Sequence, residues 1–230
     1  MLPGQDQVVA CPHCGALEKH QTLLSGNTFG AVMWSDGKQL APMLPVPPGV
    51  ARCHSCRNCY WLEEAAMIGL VSGWSEEDEN SNPEWVNAPE VREPSTREYH
   101  AAIAAGLAKD VDGEKRLRIL AWWRGNDAAR GKRHDSGGVV GTAPPALRKA
   151  NLERLAALLS GPSDDERIMR AEVLRELGRF ADAEQLLNEV SSTEAAWVVD
   201  QLRALCVKKD PAVRELDVGA TRRRGRKRAQ

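Results

Sequence analysis

The chain has 230 residues, 42% hydrophobic and 27% charged, with 31 basic residues against 32 acidic ones. Such a composition supports one or two domains with real cores. It excludes a fully disordered chain, a collagen-like chain and a globally basic nucleic-acid coat. No window approaches the roughly 18–20 consecutive apolar residues of a transmembrane helix. Residues 1–10 show no basic and apolar signal regions, so a cytoplasmic location without membrane contact is expected.

Five of the six cysteines fall at 11, 14, 53, 56 and 59. Cys11-Pro12-His13-Cys14-Gly15 places two thiolates where a tight turn can aim both at one ion, and Gly15 allows the positive φ that such a turn uses. Cys53-His54-Ser55-Cys56 repeats the spacing. Four thiolates satisfy a closed tetrahedral structural zinc site, with one Zn2+ per chain and no open catalytic position. Disulfides are disfavoured in a cytosolic chain. Cys56-Arg57-Asn58-Cys59 is also a CxxC, so Cys59 competes with Cys53 for the fourth place. The pairing of Cys53 with Cys56 is favoured, because Tyr60 and Trp61 then follow as a return strand. Cys59 is then a buried free thiol, and Cys206 a small core residue on a helix.

Between the cysteine pairs, Asp36-Gly37 marks a hairpin turn. It is flanked by 28–33 and 38–40 as strands, and Pro42, Pro45, Pro47 and Pro48 make a stiff return. Phe29, Met33, Trp34, Met43 and Leu44 form either a partner-binding surface or an internal packing face. With its paired CxxC motifs, the segment 8–62 resembles a zinc ribbon. The resemblance implies a small β-fold clamping one zinc through Cys11, Cys14, Cys53 and Cys56.

Residues 73–94 carry Glu76, Glu77, Asp78, Glu79, Glu84, Glu90 and Glu93 against Arg92 alone, and read as an acidic linker or laid-down arm. Helical punctuation begins at Ser95-Thr96-Arg97-Glu98, a capping box followed by Tyr99, Ile103 and Leu107. A second helix starts near Asp112 and should end at Gly125-Asn126-Asp127. Its Trp122-Trp123-Arg124 run cannot turn both indoles to one core, since adjacent helical residues diverge by about 100°. With Trp34 these residues are candidates for a partner-binding site, given the hot-spot character of Trp beside Arg; for the Trp122-Trp123-Arg124 run, packing between domains is the equal alternative. Residues 128–143 read as a Gly-rich loop. The Asp135-Ser136-Gly137-Gly138 within it is a chance likeness to a protease serine loop, because that chemistry needs a double β-barrel.

Further helices are expected at about 145–159, after the capping box Ser163-Asp164-Asp165-Glu166, around Leu186, and after Ser192. The stretch 170–187, with Ala171, Gly178, Phe180 and Ala183, resembles one tetratricopeptide-repeat hairpin. That resemblance implies stacked hairpins and a protein-binding surface. Six positive charges lie in 221–230, at Arg222, Arg223, Arg224, Arg226, Lys227 and Arg228, and subtracting them from the net charge of −1 leaves −7 for the rest.

The expected architecture is α+β. A zinc ribbon with its hairpin insert spans 1–72, a linker 73–94, a helical-repeat domain of about six helices 95–217, and a basic tail 218–230. No catalytic constellation or small-molecule site is evident. The expected function is a non-enzymatic adaptor binding a protein partner. The alternative is a nucleic-acid-associated regulator that uses the ribbon and the tail.

Overall fold

The computed structural model describes residues 1–72, 82–131 and 143–219. The parts of the linker, Gly-rich loop and basic tail at 73–81, 132–142 and 220–230, including the Asp135-Ser136 motif, lie outside the described residues. The arrangement is α+β, with small antiparallel sheets first and, among the described residues, seven helices after them. None of these helices is long and apolar enough to cross a membrane.

The described chain forms two compact units. The first comprises residues 1–31, 41–72 and 82–107. Its main sheet has the order β3 (Leu17–His20), β2 (Asp6–Ala10), β9 (Ala66–Val71), antiparallel throughout, with Val8 opposite both Lys19 and Gly69. Residues 89–91 add to the outer edge of β3, where the Lys19 N–H bonds the Pro89 carbonyl and the Val91 N–H bonds the Lys19 carbonyl. A short helix α1 (Pro83–Val86), capped by the Asn82 side chain, lays Trp85 on β9. A Cβ at Gly69 would stand 2.1 Å from that indole, so only glycine lets the ring approach the strand. Strands β7 (Val50–Arg52) and β8 (Cys59–Trp61) form a hairpin, and β1 (Leu2–Pro3) pairs with β4 (Leu23–Ser25).

Helix α2 (Thr96–Ala104) also belongs to the first unit. Its capping box is complete: Ser95 accepts from the Glu98 N–H, and the Glu98 carboxylate accepts from the Ser95 N–H. That carboxylate also accepts from Arg52 and Arg92, at 2.9 Å each. Against the cost of partial burial, Arg92 and the Ser95 backbone and hydroxyl hold the Glu98 carboxyl down at about 2.

The second unit comprises 32–40, 108–131 and 143–219. It contains α3 (Val111–Arg130), α4 (Pro145–Leu158), α5 (Asp164–Glu176), α6 (Phe180–Asn188) and α7 (Ala196–Val207). Leu152, Leu155, Val173, Leu187 and Leu202 are buried in one apolar cluster with Trp122. Ser163 caps α5, but the expected reciprocal bond is not made. The Glu166 carboxylate accepts from Gly161 N–H and Lys115 instead.

Helix α3 runs past its expected stop. The polar side chains of Asn126 and Asp127, which elsewhere would compete for backbone bonds, are engaged otherwise. Asn126 Nδ2 donates to Asp36 and to Glu176, both at 2.9 Å, while Asp127 accepts from Lys38, Arg124 and Arg130.

Asp36 and Lys38 come from the insert between the cysteine pairs. Strands β5 (Val32–Trp34) and β6 (Gln39–Leu40) pair as a hairpin, Gly37 takes φ +79 at the turn, and β5 pairs on its other side with β10 (Glu215–Leu216). Asp36 is buried and accepts from Arg130. Ser35 Oγ accepts from the Arg214 N–H at 2.9 Å and from Arg175 at 3.3 Å. Arg175 is fully buried against Glu172 and the carbonyls of Asp210 and Ala212.

Truncating one member of a buried ion network strands its partner charge. Asp36→Ala should cost the helical unit about 3–5 kcal/mol, read as a lower urea midpoint of its helical signal. A second prediction concerns Glu176. Burial, reinforced by the charge of Glu172, raises its carboxyl from 4.5 to about 8. Between those values the folded state keeps a proton that the unfolded chain has released. The associated stability is full below the unfolded value and is lost as pH rises through the folded one. Urea midpoints should therefore fall from pH 5 to 8, and Glu176→Gln should make that slope shallower.

Candidate metal centre

Two turns of nearly the same construction bring four cysteines together. In the first, the Gly15 N–H bonds the Cys11 carbonyl at 2.9 Å, and the Cys11 N–H bonds the Ala16 carbonyl at 2.9 Å. In the second, the Arg57 N–H bonds the Cys53 carbonyl at 3.2 Å, and the Cys53 N–H bonds the Asn58 carbonyl at 3.0 Å. The residue after each second cysteine is left-handed, with φ +74 at Gly15 and +64 at Arg57. Glycine adopts this freely, whereas arginine incurs roughly 1–2 kcal/mol of steric cost. The sequence marks the first turn with glycine and gives no such mark at the second.

The sulfurs of Cys11, Cys14, Cys53 and Cys56 all lie within 4.8 Å of one another. Cys11 Sγ is 3.8 Å from Cys56 Sγ, and Cys14 Sγ is 3.7 Å from Cys53 Sγ. All six cysteines are free thiols. A tetrahedral ion with metal–sulfur bonds of about 2.3 Å would separate its sulfurs by about 3.8 Å. The four side chains thus fit a single metal ion. Cys11 and Cys53 are buried, and Cys14 is exposed.

The thiols differ in acidity for physical reasons. Burial pushes Cys11 up to about 12, against backbone N–H groups of His13 and Cys14 that favour its thiolate. Burial likewise raises Cys53, opposed by the N–H groups of Cys56 and Ser55. Cys14 is lowered to about 7, chiefly by the Ala16 N–H. Uptake of a cation by the buried pair must therefore displace protons.

A carboxylate braces the second turn. Glu18, on β3, is fully buried, its Oε1 accepting from the His54 N–H at 2.9 Å and facing His54 Nδ1 at 3.2 Å. Its Oε2 accepts from the Tyr60 hydroxyl at 2.5 Å. Tyr60 packs with Cys11, Cys53 and Ala51, and burial followed by the Glu18 contact raises its phenol well above the ordinary value. Glu18 therefore braces the second turn through His54, and it holds the Tyr60 that packs against Cys11 and Cys53. Nothing in the sequence distinguishes it from a solvated strand residue. Cys59 stands outside the cluster, its sulfur 4.0 Å from the Glu98 carbonyl, with its thiol raised by burial to about 11. Cys206 is buried on α7 within the helical core.

The expected partner surface requires correction. Trp34, Trp122 and Arg124 are buried in the second unit. Trp122 belongs to the apolar core, the Arg130 guanidinium lies 5.5 Å from the Trp34 ring, and Trp123 Nε1 donates to the Asp36 carbonyl at 2.9 Å. These side chains hold the hairpin and the helices of that unit together instead of facing solvent. Exposure falls elsewhere, on Leu24, Phe29, Met43, Leu44 and Val46 of the first unit, with Phe29 at 81% and Val46 at 82%. Segments 21–31 and 41–51, which carry them, contain no charged residue.

Comparison with protein-family models, with characterised proteins and with solved structures finds no match for this chain.

Backbone geometry at the turns is directly testable. Gly15→Ala should destabilise the metal-loaded first unit by roughly 1 kcal/mol, and Arg57→Gly should leave it as stable or more so, in paired thermal melts. Cys59→Ser should keep the full metal content on elemental analysis, whereas Cys56→Ser should lose it.

Proposed function

We propose that the chain is a non-enzymatic, zinc-stabilised adaptor. Its first unit is a zinc ribbon built on Cys11, Cys14, Cys53 and Cys56, and its role is to bind a protein partner. The observation that carries this reading is the set of four thiols at tetrahedral spacing, with sulfur contacts of 3.7 and 3.8 Å. Sulfur ligands of this number suit zinc, and a fourfold thiolate shell leaves no coordination position for a substrate or an activated water. The ion would supply folding energy to a unit whose small core includes two of its own ligands.

Two features support a protein partner. The charge-free segments 21–31 and 41–51 expose Phe29, Val46 and their apolar neighbours, a composition typical of the dry centre of an interface. In the second unit, the α5–α6 hairpin has the make-up of a tetratricopeptide-like unit: Ala171 and Ala183 are buried where helices approach closely, and Gly178 turns the chain at φ +78.

Elemental analysis should find one zinc per chain, removed by Cys14→Ser together with the fold of the first unit. Co-purification from native lysate, with and without nuclease, tests the rest. A nuclease-resistant protein partner lost on Phe29→Ser/Val46→Ser, at unchanged zinc content, is the expected outcome. Nucleic acid recovered instead, and lost on deletion of 221–230, would replace the adaptor reading with a regulator anchored by the basic tail.

A further inference from the structure

The hairpin 32–40 lies in the chain between Cys14 and Cys53, yet it is part of the helical unit. Its two connectors run side by side before they diverge into it: the Asn27 N–H bonds the Met43 carbonyl at 3.2 Å, and Gly26 lies against Leu44 so closely that a Cβ there would stand 2.7 Å from its methyl group. Its tip is held by buried polar groups, namely Asp36 with Arg130 and Asn126, and Ser35 with Arg175 and the Arg214 N–H. The same four thiols that enclose the candidate ion therefore fix both ends of the segment that carries the clasp.

We propose that metal loading and hairpin docking are thermodynamically coupled, so that the ion bound by the first unit stabilises the helical unit. This rests on the reading of the four thiols as a metal site. The physical link is chain entropy. With the first unit folded, the described stretches between Leu40 and α3, residues 41–72 and 82–107, are already organised. Without the metal that unit loses two core ligands, and residues 41–110 become a long free loop that hairpin docking has to close. Closure cost grows as three-halves RT times the logarithm of loop length, so the closure probability falls as the three-halves power of length, and docking becomes roughly ten- to a hundredfold less favourable. Coupling is reciprocal, so releasing the hairpin weakens metal affinity by the same factor.

The test uses the full chain. The helical circular-dichroism melt is recorded with one equivalent of zinc and with a chelator, and zinc affinity is measured by chelator competition. Zinc should raise the melting temperature of the helices, and Asp36→Ala should weaken zinc binding roughly tenfold or more. Because Asp36→Ala also destabilises the helical unit, a second variant carries long Gly/Ser spacers after Gly30 and after Pro45. These touch neither thiols nor clasp residues, and they should shrink the zinc-induced shift. A chain that binds zinc tightly but melts its helices identically with and without it would overturn the coupling. A chain that binds no zinc would overturn the metal reading beneath it.

Discussion

Four thiols held within a few ångströms are a poor core unless a cation sits among them. Cys11 and Cys53 are buried beside Ala51 and Tyr60, where an apolar protein would place leucine or valine. Their burial raises the cost of the thiolate, and the ring of backbone N–H groups lowers it only in part. A cation among the four sulfurs would offset that cost. The Glu18 brace, the two like turns and the packing of Tyr60 against Cys11 and Cys53 hold the four sulfurs close together.

The second unit answers a different constraint. Its helices bury a conventional apolar cluster, yet beside it lie Arg124, Arg130, Arg175, Asp36, Asp127, Glu172 and Glu176, all largely withdrawn from water. Such networks contribute little net stability compared with apolar packing, but they penalise any register that leaves one member unpaired. The insert supplies Asp36 and Lys38, and the penalty therefore selects for the hairpin being in place. The two tryptophans at 122 and 123 share the labour that their helical divergence demands, one in the apolar core and one bonding the hairpin backbone.

Much of this was legible in the sequence, and the rest was hidden for identifiable reasons. The paired CxxC spacing, the Asp36-Gly37 turn and the Ser95 capping box are local signals whose geometry is dictated by adjacent residues. They read correctly because each turn or cap is fixed by its own neighbouring residues. The end of α3 did not, because Asn126 and Asp127 behave as helix breakers only when their side chains are unoccupied, and their acceptors and donors come from residues up to 90 positions away. Trp34 and Arg124 look like surface hot spots in isolation and are interior once the insert is docked. Glu18 gave no signal at all, since burial of a carboxylate is decided by what folds over it.

One pairing bears on the order in which the molecule can be made. Strand β5 at Val32–Trp34 is joined to β10 at Glu215–Leu216, and Ser35 is tied to Arg214 across 179 positions. A ribosome delivers the first of these segments long before the second, at about 5–20 residues per second. The early hairpin must wait for its sheet partner with an open edge and an uncompensated Asp36. During synthesis the first unit, whose described residues end at Leu107, can form well before the helical unit closes. Any delay between the two leaves an unpaired strand exposed on the nascent chain, which makes this interval the point at which a chaperone would matter most.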